Sequence, residues 1–305
     1  MKKLFLLLAL GGFLMSCSDD DDDDNGNALV PINLTSRVTI QGRDVEQNVQ
    51  IAANQQVSFF VTGTGSLTNI YYDNALLTAD GNGAFSYSSG GQTVLYYPVE
   101  PVNVDFYAVH PYASTTALNS IMNFSVNLDQ TTAANYYNSD LLYSKVENIA
   151  RTRNAVPMTF NHKLSKINFT IRQGAGLDLS DLSSVTIMNV LSQIDMNLTD
   201  GTLVPVTGST SEISVYGVRG TTGNETELTG MTAIIVPQSF TTDGTKQLFR
   251  LNINGVNFYY TPAVGIMFEE GKQYNYTLTV NNTGITVTST IEDWLPGEDI
   301  IGDVD

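Results

Sequence analysis

Cysteine, tryptophan and histidine are nearly missing from this chain: its 305 residues hold one, one and two of them. A single cysteine, Cys17, excludes an internal disulfide, a cysteine metal cluster and a redox pair. Two histidines, His110 and His162, are too few to build a Cys/His zinc site, and neither accompanies a pattern that exposes a catalytic serine. Basic side chains are scarce as well. Lys and Arg number 14 against 31 Asp and Glu, for a net charge of −17, so the electrostatic footprint of a nucleic-acid binder is lacking. No glycine-rich loop precedes a helix; Gly81-Asn82-Gly83 and Ser89-Gly90-Gly91 read as hairpin turns. Asp and Glu are plentiful, but no spacing marks a catalytic pair. No catalytic residue, metal ligand or cofactor is expected.

What is present begins with a targeting segment. Lys2 and Lys3 precede the apolar run Leu4 to Leu14, too short to span a bilayer, which needs about 20 apolar residues. It ends in Leu14-Met15-Ser16-Cys17, similar to the lipobox at which bacterial lipoprotein precursors are acylated and cut. Residues 1–17 are therefore expected to be a lipoprotein signal peptide and lipobox. Fatty acylation at Cys17, palmitate included, would hold the chain on a membrane surface without crossing it. Residues 18–28 follow as an acidic tether, since the six carboxylates Asp19 to Asp24 repel one another and bury nothing. Asp21, Asp23, Asn25 and Gly26 stand at calcium-loop spacing, but Ile32 occupies the position of the closing glutamate, which rejects that site. The run resembles the acidic signal that sends Bacteroidales lipoproteins to the outer leaflet of the outer membrane. Without Lys2 and Lys3 the basic residues fall to 12 against 31 acidic, a net −19.

Beyond the tether the chain reads as strands. Val30, Ile32, Leu34, Val38 and Ile40 share one face of an extended run, interrupted only by Ser36. Further period-two sets are Val57/Phe59/Val61, Val102/Val104/Phe106/Ala108, Phe124/Val126/Leu128, Ile167/Phe169/Ile171 and Ile194/Met196/Leu198. Asn254-Gly255 between apolar sets predicts a hairpin on a type I′ turn, and a second hairpin is predicted to turn at Asn281 to Gly284. In the doublets Tyr71-Tyr72, Tyr96-Tyr97, Tyr136-Tyr137 and Tyr259-Tyr260, one ring should face a core and the other the surface. Trp294 is expected to plug a core. The fold class is all-β, and the length suits two sandwiches, spanning 29–156 and 157–305.

Several segments, in order, resemble the Mfa-like fimbrillins. They are Val104 to Tyr112, Asp140-Leu141-Leu142-Tyr143, Pro157 to Phe169, Ala233 to Gln238, and the stretches Phe268 to Tyr274 and Ile291 to Trp294. The resemblance implies two transthyretin-like β-sandwich domains in tandem, export as a lipoprotein, and assembly into surface pili that support adhesion. It also implies that an Arg-specific protease cuts after the first strand, and that a strand from a neighbouring subunit fills the groove so opened. Physically, a removed strand leaves unpaired backbone and an apolar groove, and an incoming strand satisfies both. The strand to be displaced is then Val30, Ile32, Leu34, Val38 and Ile40. Arg37 lies within it, off the apolar face, whereas Arg43 lies just past it, so cleavage is expected between Arg43 and Asp44. Arg151 and Arg153 are the rival sites. The tail carries Ile300, Gly302 and Val304 on one face, a weak donor strand, so a tip or accessory role fits as well as a stalk. Expected partners are other fimbrial subunits through β-strand exchange, the outer membrane through the lipid anchor, and a ligand on a host or bacterial surface. The competing reading is a non-polymerising surface lipoprotein that binds a glycan or host protein.

Overall fold

The computed structural model describes residues 29–38, 50–89 and 91–294. The described residues are almost entirely β, as their wealth of Thr, Val, Ile, Tyr and Phe dictates. In chain order the first strands are β1 (Leu34–Val38), β2 (Gln56–Gly63), β3 (Ile70–Ala79), β4 (Phe85–Tyr87), β5 (Val104–His110) and β6 (Ile121–Ser125). A one-turn helix, α1 (Ala133–Tyr137), capped by the Thr132 side chain, leads to β7 (Leu142–Ile149), β8 (Val156–His162), β9 (Ser165–Gln173) and β10 (Leu182–Val190). Next come β11 (Gln193–Asn197), β12 (Leu203–Pro205), β13 (Ser211–Ser214), β14 (Glu227–Ile235) and β15 (Gln238–Phe240). The chain closes with β16 (Phe249–Ile253), β17 (Val256–Tyr260), β18 (Ile266–Phe268), β19 (Lys272–Asn281) and β20 (Gly284–Asp293).

Seven strands form the first sheet, in the order β1-β8-β7-β5-β2-β3-β4. Two four-stranded sheets, β14-β9-β19-β20 and β13-β10-β16-β17, face each other across a core in which Phe249 meets the rings of Phe169 and Tyr276 edge-on. A three-stranded sheet, β12-β11-β6, and the pair β15-β18 complete the structure. Two pairings are parallel, β1 with β8 and β9 with β19, and the other ladders are antiparallel. Both predicted hairpins form. Asn254 and Gly255 take positive φ angles of 50° and 76° between β16 and β17, and β19 turns into β20 at Asn281 to Gly284.

Buried side chains gather in two clusters. One face of β2 and β5 supplies Phe59, Val61, Phe106 and Ala108 to the first cluster. Their other face, Phe60, Tyr107 and Val109, belongs to the second, together with Met122 and Phe124 of β6 and Met196 of β11. Both faces of the central strands are thus enclosed, which period-two patterning does not show. Asp105 is buried in β5 because its carboxylate accepts from Thr64 Oγ1 at 2.9 Å, Gly65 N at 3.0 Å and Asn148 N at 2.7 Å. The division expected at 156/157 coincides with the start of β8, which is bonded within the first sheet. The chain passes to the next sheet between His162 and Ser165, and β6, from before that division, pairs with β11.

Candidate functional site

The first strand is enclosed from three sides. Along one edge it pairs in parallel with β8, from Leu34 opposite Val156 to Val38 opposite Phe160. Along the other, Ile32 N donates to Leu95 O at 2.8 Å, Tyr97 N to Val30 O at 2.9 Å, and Ser36 N to Gly83 O at 2.7 Å. Beneath it, Val30, Ile32, Leu34 and Val38 are buried on one face, in register with the alternation in sequence, while Arg37 points to solvent. Their receptor is the first core, where Phe59 meets Phe106 edge-on at 5.2 Å and Tyr97 lies 5.9 Å from Phe106. Tyr97 is buried there, and that burial raises its hydroxyl pKa to about 12. Of the remaining predicted positions, Cys17, Ile40, Arg43 and Asp44 lie outside the described residues.

Ser36 continues the buried face of β1 although it is polar, with 1% of its surface exposed. Its Oγ donates to Gln50 Oε1 at 3.3 Å. Gly83 makes room for that amide: a Cβ there would stand 2.3 Å from Gln50 Oε1.

A second assembly gathers residues that sequence alone leaves apart. His110, at the end of β5, bonds through Nδ1 to Asp140 O at 2.8 Å and through Nε2 to Gln55 Oε1 at 3.0 Å. His162, at the end of β8, meets Asp140 Oδ1 at 2.9 Å and stacks on Trp294 with ring centroids 3.9 Å apart. Burial holds His110 below the ordinary imidazole range, partly opposed by Asp140. Beside His162 and Trp294 a polar cleft of about 290 Å³ is also lined by Lys163, Glu270, Lys272 and Asp293, which pair as Lys163–Glu270 and Lys272–Asp293. Both histidines are engaged by neighbours, and among the described residues no group of three His, Cys, Asp or Glu is placed to hold a metal ion. Trp294 is buried, as its expected plugging role requires.

The tyrosine doublets divide in part as expected. Tyr97 and Tyr136 are buried beside less buried partners, and Tyr259 is exposed beside a half-buried Tyr260, but Tyr71 and Tyr72 are both half-buried. Tyr136 and Tyr137 lie in α1, where residues one apart are not set on opposite faces as in a strand.

This arrangement has known counterparts. A candidate fimbrium subunit of Bacteroides uniformis, Fim1C, is 32% identical over 222 residues, covering 71% of this chain and 69% of that protein. Crystal structures of candidate cell adhesion proteins share the fold. One from Bacteroides uniformis has a TM-score of 0.67 at 23% identity, covering 87% of this chain and 98% of that one. Another, from Bacteroides ovatus, has a TM-score of 0.68 at 20% identity, covering 88% and 99%. The sequence profile described as fimbrillin-like matches residues 36–294, from within β1 to Trp294, and the chain belongs to that family.

Proposed function

We propose that this chain is a subunit of cell-surface fimbriae, exported as a lipoprotein through Cys17 and assembled by strand exchange after cleavage between Arg43 and Asp44. The observation that carries the reading is the position of β1. It is the first strand among the described residues, it is bonded along both edges, and with the segment leading into it, Val30 to Asn33, it seats Val30, Ile32, Leu34 and Val38 in the first core. Each buried side chain contributes roughly 1.5–3 kcal/mol, so losing four removes an amount comparable to the whole stability of a typical domain, about 5–15 kcal/mol. An emptied groove therefore strongly favours a replacement strand. The relative described as a fimbrium subunit supports the subunit part of this reading.

A donor of the right pattern exists within the chain. β20 is the outer strand of its sheet, and Ile285, Val287, Ser289 and Ile291 share one face, opposite Val280, Leu278, Tyr276 and Tyr274. Ile285 and Val287 are half-buried against the second core, whereas Ser289 and Ile291 are exposed. The order of types repeats that of Ile32, Leu34, Ser36 and Val38 along β1 and the residues just before it. Head-to-tail insertion of one copy's strand into the next does not close a ring and so extends as a filament.

The test is digestion of the purified full chain with an Arg-specific protease, read by intact mass and by denaturing gels without boiling. A cut after Arg43 with detergent-resistant oligomers is expected. The same cut without oligomers assigns a tip or accessory role. Fragmentation at Arg151 or Arg153 instead, with Arg43 intact, would replace this reading with that of a non-polymerising surface lipoprotein.

A further inference from the structure

We infer that Gln50 and Gly83 form a polar notch that fixes the register of whatever strand occupies the β1 groove, admitting a small hydroxyl residue at the position of Ser36. The inference rests on the strand-exchange reading and adds to it a rule for which strands fit. Apolar alternation by itself distinguishes a one-residue slip, which turns every side chain to the wrong face, but not a two-residue slip. Val30, Ile32, Leu34 and Val38 are of similar size, so a slip by two would move one branched aliphatic into the seat of another. Only the seat of Ser36 differs in kind.

There the hydroxyl donates to Gln50 Oε1, and Gly83, lacking a Cβ, lets the amide lie against the strand. A slip by two brings Leu34 or Val38 to that oxygen, which loses its donor, and carries the hydroxyl into an apolar seat. Single polar residues fix register in coiled coils by the same energetic logic. Gln50 and Gly83 both lie C-terminal to Arg43, so they stay with the body when β1 is cut away, and the notch remains to read the incoming strand. The partner it fits is an extended segment of pattern apolar-x-apolar-x-Ser-x-apolar, the pattern of β20 from Ile285 to Ile291.

The test uses the full chain after Arg-specific cleavage, with the protease then inhibited. A labelled peptide of the sequence Val30 to Val38, and the same peptide with Ser36→Val, are titrated against this protein and against one carrying Gln50→Leu. The serine peptide is expected to bind the unaltered groove about tenfold more tightly than the valine peptide, and that ratio should collapse to about one with Gln50→Leu. An equal ratio in both proteins would overturn the notch while leaving strand exchange standing. If neither peptide binds, strand exchange itself fails, and the notch is judged on the uncut chain. There, urea unfolding of Ser36→Val, Gln50→Leu and the double variant should show coupling, and additive effects would dismiss the contact as a register device.

Discussion

His110 ends β5 with its ring enclosed, bonded to Asp140 O and Gln55 Oε1 and with His162 nearby across Asp140. Because burial lowers its folded-state pKa, the unfolded chain takes up a proton first as pH falls through about 6.5. Its contribution to stability is present above that pH and is lost as pH falls toward the folded value. Urea unfolding at pH 7 and pH 5 should therefore show a smaller pH-dependent loss in His110→Asn than in the native chain; equal losses would assign the acid sensitivity elsewhere. Gly201 makes a different kind of demand. Its φ is +73°, and a Cβ would stand 2.6 Å from the Tyr143 ring, whose hydroxyl donates to Leu198 O at 3.0 Å. Gly201→Ala is expected to cost at least about 1–2 kcal/mol from the backbone alone, measured as a lowered urea midpoint.

Among the elements, β2 is buried from Val57 to Gly63, with alternate residues in different cores. Phe59→Ala and Phe60→Ala should therefore each destabilise by about 3–5 kcal/mol, although only Phe59 belongs to the apolar set predicted for this strand. A much smaller loss for Phe60→Ala would mean that the second face is loosely packed. β8 shows the opposite economy of contacts: it pairs with β1 at five positions and with β7 at only two, Leu142 opposite His162 and Tyr143 opposite Asn161. Once β1 departs, amide hydrogen exchange should accelerate across Val156 to Phe160 and slow again when a strand refills the groove. Unchanged exchange there after cleavage would show that β1 had not left.

For the whole molecule, the decisive feature is that the first sheet stands between the two cores and contributes side chains to each. Val109 and Tyr143 pack with the second cluster, while their strands carry Phe106, Ala108 and Leu142 in the first. The two halves should then unfold together. A single calorimetric transition is expected, shifted downward alike by Phe106→Ala in the first core and Leu278→Ala in the second. Two resolved transitions, each moved by only one substitution, would show that the cores are independent. The surplus of acidic groups, −17 over the full sequence, keeps such molecules apart at low salt, so contacts between copies should depend on paired strands rather than surface charge.

The strand character, the inward face of Val30 to Val38, and the turns at Asn254-Gly255 and Asn281 to Gly284 follow from local rules of period and permitted φ, so the sequence by itself determined them. Its ordered motifs also carried the family. Tertiary structure alone decided what covers the outer face of β2, since Met122 and Met196 reach it from strands far along the chain. It alone decided that β1 runs parallel to β8, and that His110 and His162 meet at Asp140, 30 and 22 residues away from it. The same holds for Ser36, which in sequence merely interrupts an apolar face; its partner Gln50 lies fourteen residues on and Gly83 farther still. Alternation specifies which side of a strand turns inward, but long-range pairing specifies what it meets there, and the polar seat in the groove is a property of that meeting.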